Sequence, residues 1–377
     1  WSPFGQAVIA AGIVVGGLGV MTLASILGFA VSRHLGLTQR MLATQETGTG
    51  AMGQISLLLK AVIATSLTMQ ALLAAMFLPR FLSMGIDPVR AVWDSVFMAI
   101  SVFNNAGFVI LPEGLSPHVT DWWMLIPIIL GTTVGAIGFP VIMDVAKNLR
   151  TPRRWRLHTK LTLSTYLILA FVGALALALT EWNNPATLGA IDTPSKILNA
   201  MLAGVNSRSS GLSALDVGAM RSQTHFVQDI LMMIGGGSAS TAGGVKVTTF
   251  AVLVLAVIAE ARGDRDIETF GRRIPTSAVR LAVAVSLLGL ALVAVSVVLL
   301  LSMTNYSLDI ILFETASAFA TVGLSTGITP ALPVGAKYVL IFLMFAGRTG
   351  SMTVAAALAL RERSRVIRMP EERPIIG

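Results

Sequence analysis

The sequence contains no cysteine, only four histidines and few charged residues. The lack of cysteine excludes disulfide bonds and thiolate metal sites, and with them thiol redox chemistry. Charged residues make up 12% of the chain, about half the share that soluble domains carry. Hydrophobic residues make up 54%. A chain this poor in charge and this rich in apolar residues is predicted to be integral to a membrane.

Basic residues outnumber acidic ones, 27 to 19, but their distribution argues against a nucleic-acid partner. They form clusters that alternate with segments poor in lysine and arginine. The clusters lie near residues 33–40, 147–160, 262–280 and 361–368. Because short cytoplasmic loops are enriched in lysine and arginine, this alternation predicts a multi-pass protein of the cell inner membrane, with Trp1 outside and the C-terminus in the cytoplasm.

Apolar runs predict the helices. Seven runs are long enough for the roughly 20 residues that a membrane span needs. They lie near residues 4–32, 51–79, 121–146, 159–181, 226–259, 277–303 and 336–360. Three segments between them, 92–102, 194–205 and 308–319, are too short to cross. We expect these to be half-helices that enter from outside and direct their partly negative C-terminal ends, which favour cations, toward the membrane centre.

Each half-helix runs into a polar turn that contains a glycine. We call these turns A (residues 103–108), B (residues 206–212) and C (residues 319–324). Irregular backbone is tolerated at membrane depth only where it is buried in protein or lines a watery path, so three such turns suggest a pore. An apolar helix with its own glycines follows each turn. A helix of this kind also stands at residues 4–32, where Gly16, Gly17 and Gly19 occur with no turn before them.

The spacing therefore predicts an all-α integral membrane protein. Helix, pore-helix and helix modules would surround a pseudo-fourfold pore, with the first module truncated in this chain. Residues 1–50 would hold the inner helix of repeat one, 51–158 repeat two, 159–274 repeat three, and 275–377 repeat four with a cytoplasmic tail. Isolated glycines in membrane helices more often serve close packing than function, and we interpret Gly16, Gly17, Gly135 and Gly138 in that way.

Residues 235–245, which we call the gate loop, interrupt an apolar run with glycines and small hydroxyl residues. Glycine costs about 1 kcal/mol in a helix interior relative to alanine, so this helix should break into two pieces. A phosphate-binding loop is excluded because Val247 follows Lys246 where that motif needs Ser or Thr. The four histidines lie near helix ends or loops, which argues against a serine protease, although a Ser–Lys pairing stays open.

Several of these segments together resemble the Trk/Ktr/HKT superfamily of potassium transporters. The resemblance rests on residues 103–108, 235–246 and 320–327, and residues 345–350 and 370–377 are similar to its KtrB branch in particular. It covers essentially the whole chain. It implies a channel-like potassium uptake subunit in which backbone carbonyls form a single-file filter, as in the potassium channels that illustrate this mechanism.

The resemblance also implies which residues form each site. The residues implied for the potassium filter, where K⁺ would bind only backbone carbonyls, are Asn104, Asn105, Ala106, Gly107, Arg208, Ser209, Ser210, Gly211, Thr321, Val322 and Gly323. The residues implied for a gate below the filter are Gly235, Gly236, Gly237, Ser238, Ala239, Ser240, Thr241, Ala242, Gly243, Gly244, Lys246 and Arg348. The fourth filter glycine would lie upstream of Trp1, which leaves the choice between potassium and sodium open.

Four charged residues near the predicted pore have roles that compete. Arg348 lies mid-span, where charge is costly; we expect it to bond carbonyls of the gate loop and to repel cations, with snorkelling or a structural ion pair as the alternative. Arg208 is expected behind the filter. Asp94 either caps its helix or attracts cations, and Glu314 is expected to bond a filter amide or hydroxyl.

The resemblance further implies a homodimer on a cytosolic ring of nucleotide-binding subunits that sense ATP or ADP. It implies no covalent cofactor, and it leaves open whether sodium activates transport or is coupled to it as in a symporter. The basic loops could dock the ring or reflect only the positive-inside bias. The lipid bilayer is the remaining partner. We expect no catalytic residues; the alternative function is an intramembrane enzyme or a membrane scaffold without ion flux.

Overall fold

The computed structural model describes residues 1–34 and 51–350, and most of this part is helical. Its helices are α1 (Pro3–His34), α2 (Ala51–Ser83), α3 (Pro88–Phe103), α4 (Trp122–Ile137), α5 (Phe139–Lys147), α6 (Leu157–Glu181), α7 (Thr193–Asn206), α8 (Ser222–Met233), α9 (Val247–Arg262), α10 (Thr276–Met303), α11 (Leu308–Ala320) and α12 (Val334–Phe345). A π-helical turn, Ala346–Gly350, continues α12. The predicted gate residues up to Arg348 therefore fall inside the described part.

Three described helices are long and apolar enough to cross a membrane: Leu59–Ser83 of α2, Leu157–Glu181 and Thr276–Met303. The predicted span at 226–259 is divided into α8 and α9 by the gate loop, as the glycines predicted. The span predicted at 336–360 is helical from Val334 to the end of the π-helical turn, and its last part lies outside the described residues.

The span predicted at 121–146 is not straight, and Gly138 has a conformational role in addition to the predicted close packing. α4 and α5 meet at an angle of 96°. Gly138, at the junction, has a φ of +91°, which a side chain rarely adopts. Pro140 then stands at the start of α5, a position that suits proline because the missing amide has no partner there anyway. Both glycines are close-packing sites: a Cβ on Gly135 would lie 2.0 Å from the Phe103 carbonyl oxygen, and one on Gly138 would lie 2.6 Å from the Ser238 carbonyl oxygen.

The three predicted half-helices are α3, α7 and α11, of 16, 14 and 13 residues. Two have an aspartate N-cap followed by proline in the first turn. Asp87 accepts bonds from the amides of Val89 and Arg90 at 3.1 and 3.3 Å, and Asp192 accepts one from Ser195. The Ser195 side chain and amide hold the pKa of the exposed Asp192 carboxyl below its ordinary value. Asp87, not Asp94, therefore caps α3, and the capping interpretation of Asp94 is wrong.

The half-helices are mostly buried near the turns, although α3 exposes Val92 and Val96 and α7 exposes Ile197 and Met201. From Phe313 to Ala320 every residue of α11 is buried, whereas α10 exposes leucines and valines along one side. A surface that is apolar and exposed suits lipid, and a short helix buried on all sides must be covered by protein. Packing of the longer helices around α3, α7 and α11 therefore places the three glycine turns in the interior.

A short β-hairpin joins α9 to α10. Its strands β1 (Ile267–Thr269) and β2 (Arg272–Ile274) pair antiparallel, with Ile267 opposite Ile274. Phe270 and Gly271 form the turn with φ values of 49° and 71°, as two-residue hairpin turns require. Sequence analysis did not predict this hairpin, because strands of three residues leave almost no periodic pattern.

Candidate functional site

Turns A, B and C meet one another in the structure. A Cβ on Gly107 would lie 2.4 Å from the Ser210 carbonyl oxygen, and one on Gly211 would lie 2.3 Å from the Val322 carbonyl oxygen. A Cβ on Gly323 would lie 4.0 Å from the Cα of Gly211. All three glycines have positive φ, between 62° and 96°. Turns A and B therefore need glycine for two reasons: its φ is positive, and the backbone of the neighbouring turn leaves no room for a side chain.

The amides of the turns are bonded back to their own half-helices. The Gly211 amide donates to the Asn206 carbonyl at 3.3 Å, and the Gly323 amide donates to Ser317 Oγ at 3.1 Å. In a trans peptide the carbonyl points opposite to the amide. The carbonyls of Ser210 and Val322 therefore point away from the half-helices, and these are the oxygens that lie against the neighbouring turns. The backbone thus directs carbonyl oxygens toward the space where the turns meet.

Side chains of the half-helices support the backbone near each glycine. Ser101 Oγ donates to the Phe108 carbonyl at 2.7 Å, and Asn206 Nδ2 donates to the Leu212 carbonyl at 2.6 Å. Ser317 Oγ accepts the Gly323 amide. Sequence analysis missed Ser101 and Ser317. The sequence pattern that could have identified them is a polar residue five or six positions before each turn glycine, inside an otherwise apolar segment.

Glu314 supports the chain just after turn C. Its carboxylate is buried and accepts hydrogen bonds from Ser325 Oγ at 2.8 Å, from the amide and hydroxyl of Thr326 at 2.8 and 2.9 Å, and from Thr329 Oγ1 at 3.0 Å. Glu314 therefore has amide and hydroxyl partners, but they follow turn C, so the expected bond to a filter residue is not formed. Glu314 braces the segment beyond the turn and does not project into the space between the turns.

Arg208 and Asp94 lie within the protein. Arg208 is 0% exposed; its Nη1 donates to the Tyr166 carbonyl of α6 at 2.9 Å, and its guanidinium lies 3.6 Å from the centre of the Tyr166 ring. The guanidinium is therefore held behind turn B, as expected. Asp94 is also buried, and its carboxylate lies 2.8 Å from Arg90 Nε one helical turn earlier.

Backbone hydrogen bonds close the gate loop at its base. The Gly235 amide donates to the Val245 carbonyl at 2.8 Å, and the Val245 amide donates to the Met233 carbonyl at 3.2 Å. The loop also binds the end of α4, because the Gly237 amide donates to the Ala136 carbonyl at 2.7 Å. The rest of the loop is thereby held between the α4–α5 bend and turns A and C.

The gate loop touches turns A and C directly. Asn105 Nδ2 of turn A donates to Thr241 Oγ1 at 2.6 Å, and that hydroxyl lies 3.1 Å from the Gly135 carbonyl to which it donates. On the other side, a Cβ on Gly243 would lie 2.1 Å from Thr321 Oγ1 of turn C. Thr241 is 0% exposed. The loop is therefore packed against the turns with no room for an added methyl group at Gly243.

Two cationic side chains bond the gate loop. Arg348 Nη1, from the π-helical turn, donates to the Thr241 carbonyl, and Lys246 Nζ donates to the Ala242 carbonyl at 2.6 Å. Gly347 lets the π-helical turn lie against the end of α11, since a Cβ on Gly347 would lie 1.6 Å from the Phe319 carbonyl oxygen. Arg348 and Thr241 are 107 residues apart in sequence. The structure thus brings predicted filter and gate residues from distant parts of the chain into one contiguous region.

Comparison with known proteins shows the family of the chain. Residues 2–367 match the family described as TrkH, cation transport protein. The chain is 37% identical to the Ktr system potassium uptake protein B of Bacillus subtilis over 374 residues, covering 99% of this chain and 83% of that protein. It is 31% identical to the potassium/sodium uptake protein NtpJ of Enterococcus hirae, covering 100% of this chain and 84% of that protein.

The fold also matches a solved structure. The potassium transporter TrkH from Vibrio parahaemolyticus superposes with a TM-score of 0.67 at 18% identity, covering 92% of this chain and 69% of that one. The helical membrane fold and the resemblance found in sequence are thereby confirmed. The half-helices, the converging glycine turns and the family match agree that the chain is a membrane transporter and not an enzyme, and that it belongs to the TrkH family of cation transport proteins.

Proposed function

We propose that this chain is the ion-translocating membrane subunit of a bacterial potassium uptake system, conducting K⁺ through the backbone carbonyls of turns A, B and C. The observation that carries this proposal is the direction of the turn carbonyls. The amides of Gly211 and Gly323 are bonded to their half-helices, so the preceding carbonyls face the space where the turns meet. Neutral carbonyl oxygens of this kind can replace the hydration shell of a potassium ion.

The C-terminal ends of the half-helices also favour a cation over an anion. α3, α7 and α11 all end at the turns, and the C-terminal end of a helix carries about half a negative charge. Arg208, the one basic residue in the turns, is bonded to Tyr166 behind turn B. A cation in the ion path would therefore meet partial negative charge from three helices, and an anion would be repelled.

We assign the gate to residues 235–245 with Lys246 and Arg348. The loop lies against turns A and C, and Arg348 and Lys246 each bond one of its carbonyls. An arginine held in this position stabilises the closed loop and places a positive charge near the ion path, which opposes cation entry. Movement of the gate loop away from the turns would open the ion path and displace the positive charge of Arg348 at the same time.

Sodium and the partner subunits belong to the same proposal. One relative is named as a potassium/sodium uptake protein, so we propose Na⁺ as an activating or coupled ion. Others are named as Ktr system proteins, which supports partner subunits. We propose a homodimer in the inner membrane, with the C-terminus in the cytoplasm on a ring of nucleotide-binding subunits. The repeat boundaries 51–158, 159–274 and 275–377 are proposals too.

Flux measurements on the full-length protein in liposomes test the conduction proposal. We expect K⁺ and Rb⁺ uptake driven by a negative internal potential and inhibited by barium, with slower Na⁺ uptake. Protein that is folded but carries no cation under any potential would refute the transport function itself. Equal K⁺ and Na⁺ fluxes would refute only the selectivity of the three glycine turns.

The gate has a separate test. Replacing Arg348 by alanine removes the bond to Thr241 and the positive charge, so K⁺ flux should rise. Arg262→Ala is the matched control, because Arg262 is an exposed arginine in the last turn of α9. Deletion of the loop glycines 235–237 should raise flux as well. Unchanged flux in both gate variants would contradict the assignment.

A further inference from the structure

A small cavity lies beside turn B, between α7, the residues that follow Gly211, and α8. It has a volume of about 10 Å³, which is at the lower limit for holding one water molecule. Three amide side chains line it: Asn199 and Asn206 of α7 and Gln228 of α8. All three are at most 3% exposed. No step of the proposed conduction mechanism uses this cavity.

The hydrogen bonds that the two asparagine side-chain nitrogens donate determine how each amide group is oriented. Asn199 Nδ2 donates to two backbone carbonyls at 2.6 and 2.8 Å, and Asn206 Nδ2 donates to one at 2.6 Å. The oxygens must therefore occupy the other side of each amide group. Among the described residues, Asn199 Oδ1, Asn206 Oδ1 and Gln228 Oε1 accept no hydrogen bond. Buried acceptors without a donor are rare in folded proteins because water is lost without replacement.

The two hydroxyl groups of the cavity cannot supply the missing donor. Ser207 Oγ donates to the Ala203 carbonyl at 2.6 Å, and Ser213 Oγ donates to the Leu215 carbonyl at 2.9 Å. Each hydroxyl has a single hydrogen and has already used it. The remaining lining is apolar or backbone. The cavity thus contains three side-chain amide oxygens that lack a donor.

We propose that this cavity is a binding site for a single ordered water molecule that donates to the amide oxygens. A bare cation is disfavoured, because it would exchange its full hydration shell for three neutral oxygens. The cavity lining contains no carboxylate to balance such a charge, and the fully buried Arg208 guanidinium follows Ser207 in the chain. A water molecule has two hydrogens for three acceptors and needs no counter-charge.

The water would connect α8 to turn B. The Asn206 carbonyl accepts the amides of Ser209, Ser210 and Gly211 at 3.2, 3.2 and 3.3 Å, and its side chain bonds the residue after Gly211. Asn206 thereby organises the whole turn. A water shared between Asn206 and Gln228 holds this residue, and with it the turn-B carbonyls, in place. This second role rests on the proposed filter function.

A high-resolution structure of the full-length protein in lipid nanodiscs tests the site itself. We expect one density peak within hydrogen-bonding distance of at least two of the three amide oxygens. The peak should be the same in K⁺ and in Tl⁺, which scatters strongly where a cation binds. An empty cavity, or a peak that strengthens in Tl⁺, would overturn the proposal, whatever the transport function proves to be.

The role in the filter has its own readout. Gln228→Met removes the acceptor at similar side-chain size, and Gln223→Met, on the exposed side of α8, makes the same change away from the cavity. We expect Gln228→Met to lose the water peak and to lower the ratio of K⁺ to Na⁺ uptake several-fold, with Gln223→Met unchanged in both. A ratio that stays at the wild-type value after the peak is lost would refute the holding role while leaving the site intact.

Discussion

Replacing Thr241 by valine gives a quantitative test of how the gate loop is held closed. The substitution preserves the shape of the side chain and removes the hydroxyl. The hydroxyl accepts a hydrogen bond from Asn105 Nδ2 at 2.6 Å and shares its one hydrogen between the carbonyls of Gly135 at 3.1 Å and Phe103 at 3.4 Å, and all of these contacts are lost. The bond from Arg348 to the Thr241 carbonyl should remain, because it involves only the backbone of Thr241.

The size of the effect follows from burial. Each hydrogen bond contributes about 1 kcal/mol, and a buried donor left without a partner costs about 1–3 kcal/mol. Asn105 is 5% exposed, so its amide nitrogen would be left in such a position while the loop stays closed. We therefore expect the closed arrangement to lose about 2 kcal/mol or more. Because about 1.4 kcal/mol corresponds to a tenfold change, the ratio of open to closed protein should rise about 30-fold.

Rubidium uptake into liposomes that contain the full-length protein measures this ratio through the initial rate. Thr249→Val is the matched control, since Thr249, in the first turn of α9, makes no side-chain hydrogen bond within the described residues. Thr241→Ser keeps the hydroxyl and should restore the wild-type rate. Equal uptake by folded Thr241→Val and Thr249→Val would show that the loop is not held closed through Thr241.

Two further predictions concern the turns and their support. Gly211→Ala should abolish selective K⁺ uptake, because its methyl group would lie 2.3 Å from the Val322 carbonyl oxygen. The control is Gly263→Ala, which has a similar φ of +73° and nothing within 4 Å of the added methyl group, and it should conduct normally. Equal loss of uptake in both variants would mean that backbone strain alone is responsible. Glu314→Gln should lower protein stability by about 1–3 kcal/mol in thermal unfolding, because an amide cannot accept four hydrogen bonds as the carboxylate does. Exposed Glu260→Gln should leave the transition unchanged, and an unchanged transition in Glu314→Gln would show that the bonds are not needed.

The half-helices and the gate loop were predictable from sequence because their signals are local. α3, α7 and α11 are apolar segments too short to cross a membrane, and two of them follow an aspartate and a proline. The gate loop contains five glycines within ten residues, so no continuous helix was expected there. In each case the composition of one short segment excludes the alternative structure.

The bend at Gly138 was not predictable in the same way. Gly135 and Gly138 lie three residues apart in one apolar run, and although Pro140 favours a new helix start just after Gly138, the sequence has no local signal for the 96° angle between the two helices. Their neighbours distinguish them. Gly135 stays helical because the Phe103 carbonyl lies against it, whereas Gly138 takes a positive φ beside the Ser238 carbonyl of the gate loop. Both neighbours come from distant parts of the chain.

The sequence by itself determined the class of the protein, the number of glycine turns and the place where a helix must break, because hydropathy and glycine content act over a few residues. Only the tertiary structure decided what those turns and that loop contact. Asn105 and Thr241 are 136 residues apart, and Arg348 reaches the same threonine from a further 107 residues along. Contacts of this range arise from the packing of whole helices, so they leave no local pattern from which they could be predicted.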